Sequence, residues 1–188
     1  MYISVKNFLG IMKQWQFVMG CLFTFQAFAQ TNSPFIWADS VSDKRQEWVY
    51  FRKEIFINEN PQKAELNLFA DSRYLLKIND VSVGTGPVRF YPSRVFFDTY
   101  DLRPYLKKGK NVIALKVLSQ GMHTFQTPKS IGGLKVWGLI QDGKKNTSLD
   151  GQNGWLCRRD RGYDLNTPKM TFALGPMEVI DSRLDPDE

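Results

Sequence analysis

The chain has 188 residues and a formal net charge of +6 at pH 7, with 43% hydrophobic and 14% aromatic residues. This length suffices for one well-cored domain, and this composition excludes a disordered chain. The basic excess is spread along the sequence, and the one basic cluster, residues 158–161, contains an acid. A nucleic-acid-binding face needs denser basic residues with interleaved aromatics, so nucleic acid is excluded as a partner.

Residues 1–29 have the pattern of a signal peptide. Two lysines precede an apolar run over residues 17–25, and residues 27–29 supply the small-x-small pattern that a signal peptidase reads. We predict cleavage after Ala29 and export to the periplasm or cell surface. No membrane span is expected after cleavage, because the apolar run is shorter than the ~20 residues that cross a bilayer. The alternatives are an uncleaved membrane anchor and a lipoprotein acylated at Cys21.

Removal of this segment changes the charge and the cysteine count. Two lysines leave with it, so the net charge falls from +6 to +4. Cys21 also leaves, so Cys157 stands alone without an intramolecular disulfide, and we expect it to be a small buried apolar residue. With His123 as the only histidine, the sequence lacks the three or four ligands of a usual zinc site, and no cofactor is expected.

The rest of the chain reads as a lead-in followed by β-structure. Residues 30–47 are expected to be an irregular lead-in, and residues 48–188 to form a single β-sandwich domain. Short runs rich in aromatic and β-branched residues recur, separated by turn residues. They predict strands over residues 48–57, 64–70, 74–78, 81–83, 95–100, 111–118, 134–141, 155–158 and 177–181.

Two connections and three tryptophans carry further expectations. Asn79-Asp80 fits a two-residue hairpin turn, because Asn and Asp tolerate positive φ. Residues 102–106 fit a short turn of helix, since Pro104 is tolerated early in one. The tryptophans at strand positions are expected in the core; they are Trp48, Trp137 and Trp155.

The number and spacing of these strands define the fold class. About nine strands with turns at this spacing predict an all-β, antiparallel sandwich. A jelly roll is the natural architecture at this size, with an immunoglobulin-like sandwich and an open barrel as the alternatives.

Short motifs give the chain a family resemblance. The narrower ones are ADSRY at residues 70–74, GPVR at 86–89 and DTYDL at 98–102, joined by RRDRGY at 158–163. With a broader pattern that includes Asn79, they resemble the N-terminal domain of bacterial α-L-rhamnosidases of glycoside hydrolase family 78. More broadly they are similar to the galactose-binding-like jelly rolls that precede catalytic domains in many glycosidases. The resemblance covers residues 37–185.

The resemblance implies an accessory role. In the family a catalytic (α/α) barrel follows the equivalent of residues 181–186, whereas this sequence stops at Glu188. No catalytic residue is therefore assigned. We expect a non-catalytic accessory domain, structural and in contact with carbohydrate, of an exported α-L-rhamnosidase-like hydrolase. The alternatives are a free-standing carbohydrate-binding module and an enzyme whose gene is split.

Four residues are candidate carbohydrate contacts, namely Arg73, Tyr74, Arg89 and Tyr91. Aromatic and planar polar side chains on sandwich loops supply a flat face for stacking and donors for sugar hydroxyls. The partner that the resemblance implies is a rhamnose-containing glycan. The alternative is that these residues brace the loops or face a catalytic domain.

Overall fold

A computed structural model describes residues 33–38, 45–90, 94–125, 128–129 and 131–184. The predicted signal peptide, residues 1–29, lies outside the described residues. The strands of the described part are β1 (Phe35–Ile36), β2 (Glu47–Ile57), β3 (Lys63–Asp71), β4 (Arg73–Ile78), β5 (Val81–Gly86), β6 (Asp98–Asp101), β7 (Gly109–Ser119), β8 (Gly133–Asp142), β9 (Lys145–Ser148) and β10 (Leu156–Arg159). A 3-10 turn, Arg103–Tyr105, lies where the sequence predicts a short turn of helix.

These strands form two antiparallel sheets. The first sheet has the strand order β1-β8-β3-β6, with β9 paired to the end of β8. The second has the order β10-β2-β7-β4-β5. The inner faces of both sheets contribute to one hydrophobic core. The predicted all-β antiparallel jelly-roll sandwich is thereby confirmed.

Strand β2 shows how the sequence produces this core. Val49, Phe51 and Ile55 are buried, and the alternate residues of the strand point outward, as a period of two requires. Each large apolar side chain buried in this way contributes about 1.5–3 kcal/mol. Lys53 occupies a core-facing position of the same strand, and its Nζ donates a hydrogen bond to the carbonyl of Asn153. Burial lowers the pKa of Lys53.

The predicted hairpin turn between β4 and β5 is confirmed. Asn79 and Asp80 both adopt positive φ, at 49° and 67°. This geometry matches the right-handed twist of the two strands, and side chains with a short polar group tolerate it.

Two expectations about burial are wrong. Cys157 is exposed, because β10 is the edge strand of the second sheet. Trp48 and Trp137 are half-buried, since each occupies an outward position beside a buried valine. Trp155 is also half-buried, at the margin of the core, and its Nε1 donates to the carbonyl of Leu149 at 3.0 Å.

Some strand assignments also differ from prediction. Phe35 and Ile36, in the segment expected to be irregular, pair with β8. Strand β9 was not predicted, and it forms a hairpin with the end of β8. Residues 177–181 do not form a regular strand, and Ile180 makes only an isolated bridge to Tyr163.

Candidate functional site

The first of the predicted contacts, Tyr74, belongs to the interior. Its side chain is 3% exposed, and its hydroxyl donates to Asp98 Oδ2 and lies 2.8 Å from the hydroxyl of Tyr100. Burial, then the bond to Asp98, raises the pKa of Tyr74 far above its usual range. Because Tyr74 lies on β4 and Asp98 and Tyr100 lie on β6, this cluster joins the second sheet to the edge strand of the first.

The glycines of β5 make room for this tyrosine pair. A Cβ at Gly84 would lie 2.6 Å from the Tyr100 hydroxyl, and one at Gly86 would lie 2.6 Å from the Tyr74 hydroxyl. Both separations are far shorter than real contacts allow, so a larger residue would displace the rings. Gly86, the glycine of the GPVR motif, is therefore required because no larger side chain fits against Tyr74.

Of the other predicted contacts, the structure describes Arg73 and Arg89. Arg73 is exposed at the start of β4. Arg89 is exposed, and its guanidinium carbon lies 4.8 Å from the ring centre of Phe125. Tyr91 lies outside the described residues. Carbohydrate contact by these side chains stays a prediction.

Phe90, which lies between Arg89 and Tyr91 in sequence, lines a cleft at the end of the sandwich where β4 begins. We define the aromatic cleft by Phe35, Trp37, Phe69, Asp71, Phe90 and Ile131, which surround a volume of about 780 Å³. Phe69 links its rings, with centroids 6.1 Å from Phe35 and 4.8 Å from Phe90, both edge to face. Phe35 is 58% exposed, so its ring is accessible to a ligand.

One carboxylate interrupts this apolar lining. Asp71 is 6% exposed, and its Oδ1 accepts a hydrogen bond from the hydroxyl of Ser72 at 3.0 Å. The Ser72 hydroxyl in turn accepts from the backbone amide of Gln120 at 3.1 Å. These bonds fix the carboxylate beside the rings. Stacking rings and a fixed acceptor are the groups that bind the apolar faces and hydroxyls of a sugar.

The wall of the cleft is anchored to the sandwich through Trp37. Its Nε1 donates to Glu47 Oε2 at 2.9 Å, and its ring centre lies 5.9 Å from that of Phe51. Glu47 is buried and forms an ion pair with Arg159 on the edge strand β10. Because the Glu47 carboxylate is buried, loss of the Trp37 donor would leave it with fewer hydrogen bonds, so a change at Trp37 is costly.

The opposite end of the sandwich has a different construction, which we call the asparagine end and define by Asn79 and Asn111. Asn79 Nδ2 donates to Asn111 Oδ1 at 2.8 Å and to the carbonyl of Tyr105 at 2.9 Å. Asn111 is fully buried, accepts from the amide of Lys107 at 2.8 Å, and donates to the carbonyls of Lys107 and Gly109 at 2.6 and 3.0 Å. The two asparagines thus satisfy backbone groups of the connection between β6 and β7 and of the start of β7.

A basic and aromatic cluster lies on the outer face of the second sheet. Lys116 Nζ lies 4.9 Å from the ring centres of Tyr50 and Tyr163, 5.1 Å from that of Trp48, and 3.3 Å from Asp160 Oδ2. Burial disfavours the ammonium form, but hydrogen bonds to Tyr50 and Tyr163 outweigh it, so the pKa of Lys116 is raised. Lys116 therefore stays protonated beside the Asp160 carboxylate.

The carboxylates near aromatic residues are held by protein donors. Asp98 accepts from Tyr74, Asp160 from Tyr50 at 2.8 Å, and Asp101 pairs with Arg103 at 2.6 Å. Among the described residues, no three His, Cys, Asp or Glu side chains are grouped to hold a metal ion. No helix in the described part is long and apolar enough to span a membrane.

Comparison with solved structures identifies the relatives of this sandwich. Over 81% of this chain, the family GH78 rhamnosidase of Bacillus sp. GL1 superposes with 35% sequence identity and a TM-score of 0.70, using 16% of that chain. The chain is similar to part of a GH78 rhamnosidase. This confirms the predicted resemblance to the α-L-rhamnosidases.

Two α-L-rhamnosidases of lower identity share the fold of this sandwich. The α-L-rhamnosidase of Aspergillus terreus aligns over 82% of this chain and 18% of its own, with 21% identity and a TM-score of 0.55. The Streptomyces avermitilis α-L-rhamnosidase, complexed with L-rhamnose, aligns over 79% of this chain and 14% of its own, with 14% identity and a TM-score of 0.50. The chain therefore spans less than a fifth of the length of these enzymes. No family model and no curated protein matches the chain.

Sequence reasoning missed the ring system of the aromatic cleft. Phe35 and Trp37 lie in the segment that was expected to be an irregular lead-in. Their exposure depends on the pairing of Phe35 with Lys135, one hundred residues further along the chain. The available signal was the pair of aromatic residues Phe35 and Trp37, about ten residues before the first long strand.

Proposed function

We propose that the chain is an accessory domain of an exported α-L-rhamnosidase-like glycoside hydrolase, and that it contacts a rhamnose-containing glycan through the aromatic cleft. Its role in this proposal is to support a catalytic domain and to hold the glycan, without performing hydrolysis. The observation that carries the proposal is the 35% identity to a single domain's length of a rhamnosidase. The accessible cleft at one end of that domain supplies the contact surface.

The size and chemistry of the aromatic cleft support the glycan contact. Its volume of about 780 Å³ lies within the range of ligand pockets. The exposed ring of Phe35 offers a stacking face for the apolar side of a deoxy sugar, and Asp71 offers a fixed acceptor for its hydroxyls. A site with one accessible ring and one nearly buried carboxylate is suited to weak binding, which is sufficient beside a catalytic domain that shares the same glycan.

A matched pair of variants tests the contact. Phe35→Ala removes a ring that is 58% exposed in the cleft, and Phe56→Ala removes one that is 57% exposed on the opposite sheet. In isothermal titration of the full chain with oligosaccharides ending in α-L-rhamnose, we expect Phe35→Ala to weaken binding about tenfold and Phe56→Ala to leave it unchanged. Equal losses in both variants, or flat titrations of the folded wild-type chain, would contradict the contact.

Hydrolysis and export have separate tests. The full chain, incubated with an aryl α-L-rhamnoside, is expected to release no aryl alcohol. Turnover that is lost on changing an Asp or Glu of residues 30–188 would overturn the accessory role. For export, we expect protein recovered from the cell envelope to begin at Gln30 by N-terminal sequencing, whereas recovery of an intact Met1 terminus from the cytosol would contradict it.

A further inference from the structure

The outer face of the second sheet carries a groove with one cation from each of four adjacent strands. Arg158 comes from β10, Arg52 from β2, Lys116 from β7 and Lys77 from β4. We call this surface the basic groove. Its volume is about 660 Å³, and its apolar lining is formed by residues between the cations, among them Leu75, Ala114 and Leu156.

The strand register arranges these cations in a regular zigzag. Arg158, Tyr50, Lys116 and Leu75 form one cross-strand row, and Leu156, Arg52, Ala114 and Lys77 form the next. The cations therefore alternate between the two rows from strand to strand. With strands about 4.8 Å apart and the rows two residues apart, successive cations are spaced by about 8 Å at their Cα atoms.

Nearby acids reduce this charge without cancelling it. Asp80 lines the groove beside four cations. Just outside it, Glu54 pairs with Arg52 at 2.6 Å, and Asp160 lies 3.3 Å from Lys116. Arg52 and Glu54 are both about half exposed, and such surface pairs are weak enough for an anionic ligand to replace the partner of the arginine.

We propose that the basic groove binds a linear polysaccharide that carries carboxylate groups, with its chain lying across the strands. The proposal rests on the proposed function, which makes the partner a glycan, and it adds the class of that glycan. A repeating anion meets a cation on each strand that it crosses, whereas a single anion would use only one of the four. The apolar side chains between the cations suit the C–H faces of sugar rings.

Charged-to-neutral variants at the ends of the zigzag test the groove. Lys77 and Arg158 are both exposed, so the double variant K77Q/R158Q should fold. The matched control, K108Q/K144Q, removes two exposed lysines that do not line the groove. Titration of the full chain with oligogalacturonate should give saturable binding that weakens as salt is added. K77Q/R158Q should lower the affinity about tenfold and the control by less than about twofold.

Competing outcomes are measured in the same series. If poly-glutamate binds as tightly as oligogalacturonate, the face recognises charge alone and the proposal is wrong. Equal losses in K77Q/R158Q and K108Q/K144Q would also overturn it, because the charge would then act from anywhere on the surface. Absent oligogalacturonate binding, together with intact binding of neutral oligosaccharides ending in α-L-rhamnose, would overturn this inference alone and leave the proposed function standing.

Discussion

At one end of strand β4, the amides of Asn79 and Asn111 close a hydrogen-bond network with the backbone, whereas at the other end Asp71 and Ser72 lie beside an open aromatic cleft. The asparagine end satisfies its own polar groups and presents no comparable ring system to solvent among its described residues. The cleft end exposes the Phe35 ring and fixes a carboxylate near it. Residues that stabilise the fold, such as Asn79 and Asn111, therefore lie at the opposite end from the residues that we propose contact a glycan.

The largest effect on stability is expected at the asparagine end. Asn111→Ala removes four hydrogen bonds of a fully buried side chain and leaves backbone groups of Lys107 and Gly109 unpaired. We expect the free energy of unfolding to fall by about 3 kcal/mol in urea denaturation. Asn146→Ala, at an exposed position of β9, is the control and should change little. If the Asn111→Ala chain bound the glycan more weakly while its free energy of unfolding was unchanged, the asparagine end would take part in binding, and the division of roles between the two ends would be wrong.

A smaller loss is expected at the joint between the sheets. Tyr74→Phe removes the hydroxyl that binds Asp98 and Tyr100 and keeps the packed ring. The free energy of unfolding should fall by about 1.5 kcal/mol, with glycan affinity unchanged, because the ring lies in the core. Thermal melts and titrations of the same samples measure both quantities, with Tyr105→Phe as a control. A variant of unchanged stability that loses glycan affinity would assign Tyr74 to the binding site instead.

The smallest effect depends on pH. Hydrogen bonds from the backbone amide of Asn58 and then from that of Glu59 hold the pKa of Asp142 below its usual range. A depressed pKa contributes stability above the pKa of the unfolded chain, and this contribution is lost as the pH falls through the folded value. The advantage of the wild-type chain over Asp142→Asn should be constant above about pH 5 and shrink below about pH 4. Urea denaturation of both chains between pH 7 and pH 3 measures it, and a difference unchanged over that whole range would speak against the assigned contacts.

The sequence predicted what depends on short-range patterns. Alternation placed β2, β3, β4, β7 and β8 within one or two residues, and side-chain chemistry placed the turn at Asn79 and Asp80. Features that depend on distant pairing were not predictable. Strand β1 exists because Phe35 and Ile36 meet β8, and Cys157 is exposed because β10 has no neighbour on one side.

The same reason separates the candidate sites from the motifs. The aromatic cleft combines Phe35, Phe69, Phe90 and Ile131, which no sequence window contains together. The basic groove needs the register of four strands before its cations form a zigzag. Of the four predicted contacts, Tyr74 is hydrogen-bonded to Asp98 and Tyr100 inside the protein, which its residue type alone did not reveal.

Hydrogen–deuterium exchange of the full chain, with and without a saturating oligosaccharide ending in α-L-rhamnose, tests the central claim that the cleft end is the glycan-contacting end. We predict slower exchange on ligand addition at residues 35–38, 69–72 and 131–132, which line or adjoin the aromatic cleft. Exchange at residues 79–80 and 107–111 should not change. Protection confined to residues 79–80 and 107–111, with none at the cleft, would contradict it.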